Sequence, residues 1–238
     1  MELIIGPSTG WLYGENIKDV NEHRKIIEAG GGNSVEISLR DNGEINKNLL
    51  KFSSVNWFKY KFAHIPEFGT ELIDKWIIFL KEFHEVWNCD NYTIHPSMIE
   101  KESDWGKFKD SGLPIAIENM DKNKNSGFEI KELKRILKEY NFNFVLDLEH
   151  AYSHDKSMRY ARELFDEFKD KITHVHVSGE ADGVDHVLVK DSDNKKEIIE
   201  FLKGIVSEVN VPIIIEGKYS SSDDLKEEFD FIRGSLSH

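Results

Sequence analysis

The chain has 238 residues, 39% of them hydrophobic and 32% charged, which is a soluble globular balance with enough apolar side chains for a sizeable core. Forty-four acidic residues face 31 Lys and Arg, for a net charge of -13, so the surface repels phosphate backbones and counts against a general nucleic-acid binder. No apolar run reaches a membrane span, the N-terminus lacks a secretory pattern, and one cysteine, Cys89, excludes a disulfide framework and a cysteine-rich zinc site. A reducing, cytoplasmic setting is expected.

In chain order, β-type runs begin at Leu3, Ser34, Tyr60, Tyr92, Pro114, Phe142, Ile172 and Val211. Amphipathic spacing predicts helices over 17–29, 71–87, 128–140, 157–168, 195–209 and 222–236, with weaker patterns at 47–52 and 98–109. The clearest stripe is Leu72, Trp76, Phe79, Leu80 and Phe83. Gly30-Gly31-Gly32 ends the first helix, and Ser222 is the expected N-cap of the last. Eight alternating βα units predict a single (β/α)8 TIM barrel covering residues 1–238. A doubly wound open sheet is the alternative, but Gly6-Pro7-Ser8-Thr9-Gly10 matches no phosphate-loop spacing.

Polar residues fall where a buried strand should be apolar. His64, His95, Glu118, Asp147, His176 and Glu216 stand at the C-terminal ends of strands three to eight. In such a barrel those ends converge on the face that carries the active site. Burying so many ionisable groups is costly, and a divalent cation removes the cost by taking them as ligands. A lone His or Glu in a strand is more often a satisfied structural polar residue; the joint placement is what points to a metal. Mixed O/N ligation suits Zn²⁺, Mn²⁺, Fe²⁺ or Co²⁺ better than Ca²⁺, with Mg²⁺ a further option. His174 shares a face with His176 and is expected one layer deeper. His154 is expected at the surface.

The segments AHIP, TIHPS, IAIEN, LDLEHA, HVHVSGEADGVDH and IIIEG, in this order, resemble the xylose-isomerase-like TIM-barrel superfamily. That group includes sugar epimerases and isomerases, inosose dehydratases and endonuclease IV. The resemblance implies one divalent ion held by Glu118, Asp147, His176 and Glu216, with Glu118 and Glu216 also acting as a proton-transfer pair beside a metal-polarised carbonyl. It implies a sugar or sugar phosphate as substrate. Endonuclease IV adds further metal ligands, matched here by His64, His95, His150 and His186. Its Asp-x-His pair reads Val184-Asp185-His186 here, so the Asp stands one residue late.

The leading expectation is therefore a metal-dependent sugar isomerase or epimerase. The alternatives are an endonuclease IV-like abasic-site phosphodiesterase with several zinc ions, and a non-catalytic metal- or sugar-binding barrel. The acidic loops after strands three and seven, with Phe68 the sole wedge candidate, weigh against DNA. Trp11, Glu36, Arg40, Asn119 and Lys218 are candidate substrate contacts, and Ser220-Ser221-Ser222 a candidate anion-holding run. Exposed helical faces leave room for a homodimer, with no feature marking the interface.

Overall fold

A computed structural model describes residues 3–11, 20–41, 44–51 and 57–237, and at Trp11, Val20, Arg40, Asp41 and Glu44 the backbone alone. Eight parallel strands form the central sheet: β1 (Ile5–Pro7), β2 (Ser34–Ser38), β3 (Tyr60–His64), β4 (Asn91–Ile94), β5 (Ile115–Glu118), β6 (Asn143–Asp147), β7 (Ile172–Val177) and β8 (Ile213–Ile215). Each lies beside its sequence neighbours, and β1 pairs with β8, so the sheet curls into a nearly closed barrel. The strands are apolar runs because both faces are covered; all three isoleucines of β8 are wholly buried.

The β1–β2 seam completes the ring by other means. Ser8 bridges Glu36 in parallel, and the Asn33 N–H donates to Ile5 O at 2.9 Å. Asn33 Oδ1 accepts the Ile5 N–H at 2.8 Å, and Thr9 Oγ1 accepts the Ser38 N–H at 2.9 Å. Gly6 allows this approach, since a Cβ there would stand 1.7 Å from Ser34 O.

Among the described residues, eight α-helices accompany the strands: α1 (Val20–Ala29), α2 (Ile73–Trp87), α3 (Glu102–Asp110), α4 (Ile130–Tyr140), α5 (Leu148–His154), α6 (Arg159–Phe168), α7 (Lys195–Val206) and α8 (Ser222–Leu236). Of the expected α2 stripe, Trp76, Phe79, Leu80 and Phe83 are buried, joined by Ile73 and Trp87, while Leu72 lies in the preceding 3-10 turn and is partly buried. Gly31, at φ +80°, turns the chain out of α1. Residues 17–19 of the expected first helix, and Phe52, lie outside the described residues. The 47–52 pattern yields a 3-10 turn over Lys47–Lys51.

Three local differences have clear causes. The N-cap of α8 is Ser221, whose hydroxyl accepts the Asp224 N–H at 3.1 Å, one residue before the expected Ser222. The polar run after β6 is helical, because Asp147 caps α5 by accepting the His150 N–H at 2.6 Å. Two short antiparallel hairpins extend the loops after β2 (Arg40–Asp41 with Glu44–Ile45) and β7 (Gly179–Ala181 with Val184–Val187). No described helix is long and apolar enough to cross a membrane.

Candidate active site and metal centre

Side chains alternate across a strand, so every second residue points into the barrel. At the C-terminal ends, this brings Glu118, Asp147, His176 and Glu216 together from β5, β6, β7 and the residue after β8. One ligand atom from each lies within 4.8 Å of the others. His176 Nδ1 is central, 3.0 Å from Glu118 Oε1, 3.5 Å from Glu216 Oε2 and 3.8 Å from Asp147 Oδ2. All four residues are buried, and Asp147 Oδ2 has no hydrogen-bond partner.

A second group shares Glu118. Its Oε2 lies 3.0 Å from His95 Nε2 and 3.2 Å from His64 Nε2, so the two oxygens of one carboxylate face different histidine sets. His95 Nδ1 lies 3.3 Å from Glu67 Oε1, which also accepts from Lys124 Nζ at 2.5 Å. A third group joins Asp147, Glu149 and His150. The His150 Nδ1 lies 2.8 Å from the Asn119 carbonyl, which leaves its Nε2 toward Glu149 at 3.9 Å.

The electrostatics follow from burial against crowding. Burial alone would raise the Glu118 carboxyl, but facing His176 and His95 hold it well below its usual range. Asp147 is pushed well up, by burial first and then by neighbouring carboxylates including Glu118 and Glu216, with His150 opposing. Burial also raises Glu216. Burial works against the His95 imidazolium, yet Glu118 and Glu67 lift it to about 10. His186, mostly buried, is pushed down to about 4. This is a set of carboxylates and imidazoles that repel or pair only in part, with an orphaned acceptor, Asp147 Oδ2, among them. A divalent cation with O/N ligands fits it.

His64, His95, Glu118, His150, His186 and Glu216 line a cavity of about 330 Å³ at the C-terminal face, while Asp147 and His176 are buried outside its lining. His186 stands on the hairpin after β7 at φ +58°, with Nδ1 3.4 Å from Ser178 Oγ. Glu36 does not reach the cavity. It is wholly buried one layer down, beside His174. Asn119 is wholly buried too, and both its amide atoms engage the backbone of Asp147. These two were expected to meet substrate; buried bonding draws them behind the site instead. Lys218 is exposed and is not part of the cavity wall, although its N–H donates to His186 O. The side chains of Trp11 and Arg40 lie outside the described ones. In the serine run, Ser220 and Ser221 both bond Asp224 at the start of α8.

Sequence reasoning missed Glu67, Lys124 and Glu149. Glu149 sits inside the LDLEHA segment, whose helical turn was the available signal; Glu67 and Lys124 meet across 57 residues with no motif to mark them. Phe68, the wedge candidate, is half-buried and stacks its ring on Trp76 at 5.4 Å. His154 is half-buried, with Nε2 3.0 Å from the Met120 carbonyl.

The sequence profile of the xylose isomerase-like TIM barrel family matches residues 105–234, more than half of the chain. The chain belongs to that family. A search of curated proteins finds no match to the sequence. Among solved structures, the fold is similar to a D-tagatose 3-epimerase-like protein, with TM-score 0.72 and 17% identity over 99% of this chain and 97% of that one. It is also similar to an L-ribulose 3-epimerase, with TM-score 0.68 and 12% identity over 100% and 95% of the two chains. A sugar phosphate isomerase/epimerase from Parabacteroides distasonis gives 0.58 and 16% over 100% and 96%. At these identities the likeness is one of fold.

Proposed function

We propose that this chain is a divalent-metal-dependent isomerase or epimerase of a small sugar or sugar phosphate. The carrying observation is the convergence of Glu118, Asp147, His176 and Glu216 within 4.8 Å, with Asp147 Oδ2 left unpartnered. These four would hold the ion, with Mn²⁺, Co²⁺ or Zn²⁺ suited to the donor set and Mg²⁺ a further option. Bound there, a divalent ion supplies Lewis acidity that acidifies the C–H beside a substrate carbonyl. Glu118 and Glu216 face the cavity from separate strands. For epimerisation, one ionised carboxylate takes the proton from carbon and the other, protonated, delivers its own to the opposite face; for isomerisation, the carboxyl that took the proton passes it to the neighbouring carbon. His64, His95, His150 and Lys124 line the same cavity and offer donors to hydroxyl or phosphate oxygens. The structural neighbours named for sugar epimerisation and isomerisation support this reading.

The test is metal content of protein purified without chelator, followed by an epimerisation screen over keto-sugars and their phosphates. About one ion per chain, lost in Glu118→Gln and Glu216→Gln together with activity, is expected. Retention of metal and activity in both variants rules the assignment out.

A second reading, an endonuclease IV-like phosphodiesterase, draws on one observation: His64, His95 and Glu118 form another three-ligand group. Adjacent ions there would activate a hydroxide for hydrolysis. It requires two or three zinc ions per chain and nicking of abasic DNA. The acidic Glu67 at the cavity wall weighs against a phosphate backbone.

A further inference from the structure

One layer beneath the quartet, the barrel interior holds polar side chains that the chemistry above does not use. Glu36 on β2, Thr93 on β4 and His174 on β7 are each wholly buried. A buried carboxylate is costly unless donors surround it. Here the Thr93 hydroxyl donates to Glu36 Oε1 at 2.9 Å. His174 Nε2 lies 3.4 Å from Oε1 and His176 Nε2 3.2 Å from it, while Oε2, also 3.2 Å from His176 Nε2, has no hydrogen-bond partner. The His174 ring is itself fixed, stacked on Phe62 at 4.0 Å and with Nδ1 3.0 Å from Thr173 Oγ1.

The two nitrogens of His176 are thus divided. Nδ1 faces Glu118, Glu216 and Asp147, and Nε2 faces Glu36 and, at 3.2 Å, His174 Nε2. A neutral imidazole that donates its Nε2–H to a carboxylate keeps its lone pair on Nδ1. We propose that Glu36 is a positioning residue: by accepting the Nε2–H it orients the His176 ring so that Nδ1 points into the quartet and would ligate an ion that displaces the Nδ1 proton now shared with Glu118. Thr93 and His174 hold the Glu36 carboxylate in place. The inference rests on the metal-centre reading above. Such outer carboxylates orient a ligating imidazole and raise its basicity. The role reaches across the ring, because β2 and β7 are not neighbours in the sheet. It also gives the fully buried Glu36 a task that barrel packing alone would not require.

The experiment titrates apo protein with Co²⁺ and Zn²⁺ against a competing chelator, for wild type and Glu36→Gln. The Co²⁺ absorption bands and thermal unfolding of the apo forms are recorded alongside. The expected result is a folded variant with affinity weakened by about 10- to 100-fold and a perturbed Co²⁺ spectrum. A folded variant that binds within twofold of wild type, with the same spectrum, overturns the inference. If Glu36→Gln does not fold, the nitrogen-15 spectrum of the Zn²⁺-loaded wild type decides, with His176→Asn assigning the signal. A proton on Nε2 is expected; a proton on Nδ1 overturns it. Wild type that binds neither ion removes the metal-centre reading itself, and this inference with it. Unchanged affinity in the variant removes only the role of Glu36.

Discussion

Asn119 grips both backbone groups of Asp147: its Nδ2 donates to the Asp147 carbonyl at 2.9 Å, and its Oδ1 accepts the Asp147 N–H at 2.8 Å. The amide side chain continues the β5–β6 ladder just where both strands end. It therefore sets the direction in which the Asp147 carboxylate leaves the strand. Asn119→Ala would leave two buried backbone groups unpaired, a cost of about 2–4 kcal/mol. Denaturant unfolding should show that loss, and chelator competition should show metal affinity falling by at least about tenfold. Unchanged affinity in a folded Asn119→Ala would mean that Asp147 needs no such support.

Gly6 is irreplaceable for a different reason. The carbonyl of Ser34 occupies the space a Cβ would take, at 1.7 Å, and backbone cannot yield as a side-chain tip can. Gly6→Ala should open the β1–β2 seam and cost at least about 3 kcal/mol, or abolish soluble expression. Near-wild-type thermal stability in that variant would contradict the seam as described.

His64 and His95 separate the two functional readings. If one ion serves proton transfer, His64→Ala and His95→Ala keep the metal count at one and raise KM, because both rings line the cavity. Loss of one ion from a count of two or three would favour hydrolysis. Elemental analysis of each variant, with substrate saturation curves, gives the answer.

Glu228 on α8 makes a stability prediction away from the site. Its oxygens accept the N–H groups of Val189 at 2.7 Å and Lys190 at 3.0 Å. Burial pushes its carboxyl up to about 7 from the ordinary 4.5, against those hydrogen bonds. The folded chain then holds the proton more tightly than the unfolded chain. This contribution is full below pH 4.5 and is lost as pH rises towards 7. Urea unfolding of wild type and Glu228→Gln across that range should show the wild-type advantage shrinking as pH rises. A constant difference would exclude the raised Glu228 carboxyl as its source.

The barrel was legible because strands buried on both faces read as unbroken apolar runs, alternating with amphipathic helices. The polar strand ends were legible because His64, Glu118 or Asp147 has no business in such a run unless it points at something. What the sequence hid is pairing across distance. Glu36 meets Thr93 over 57 residues and His176 over 140, so its place beneath the site depends on barrel closure. Helix α5 was hidden because Asp147 serves two purposes at once, as strand-end carboxylate and as N-cap. The amphipathic signal for α5 is weak, since Glu149 and His150 are both buried in its first turn.

Glu118 offers one oxygen to His176 and the other to His64 and His95. The carboxylate is thus a hinge between two inventories of ligands. Under the proposed metal reading, substitutions confined to the ends of β3 and β4 would alter the second ligand group while β5 to β8 stay untouched, with the shared glutamate as the fixed point.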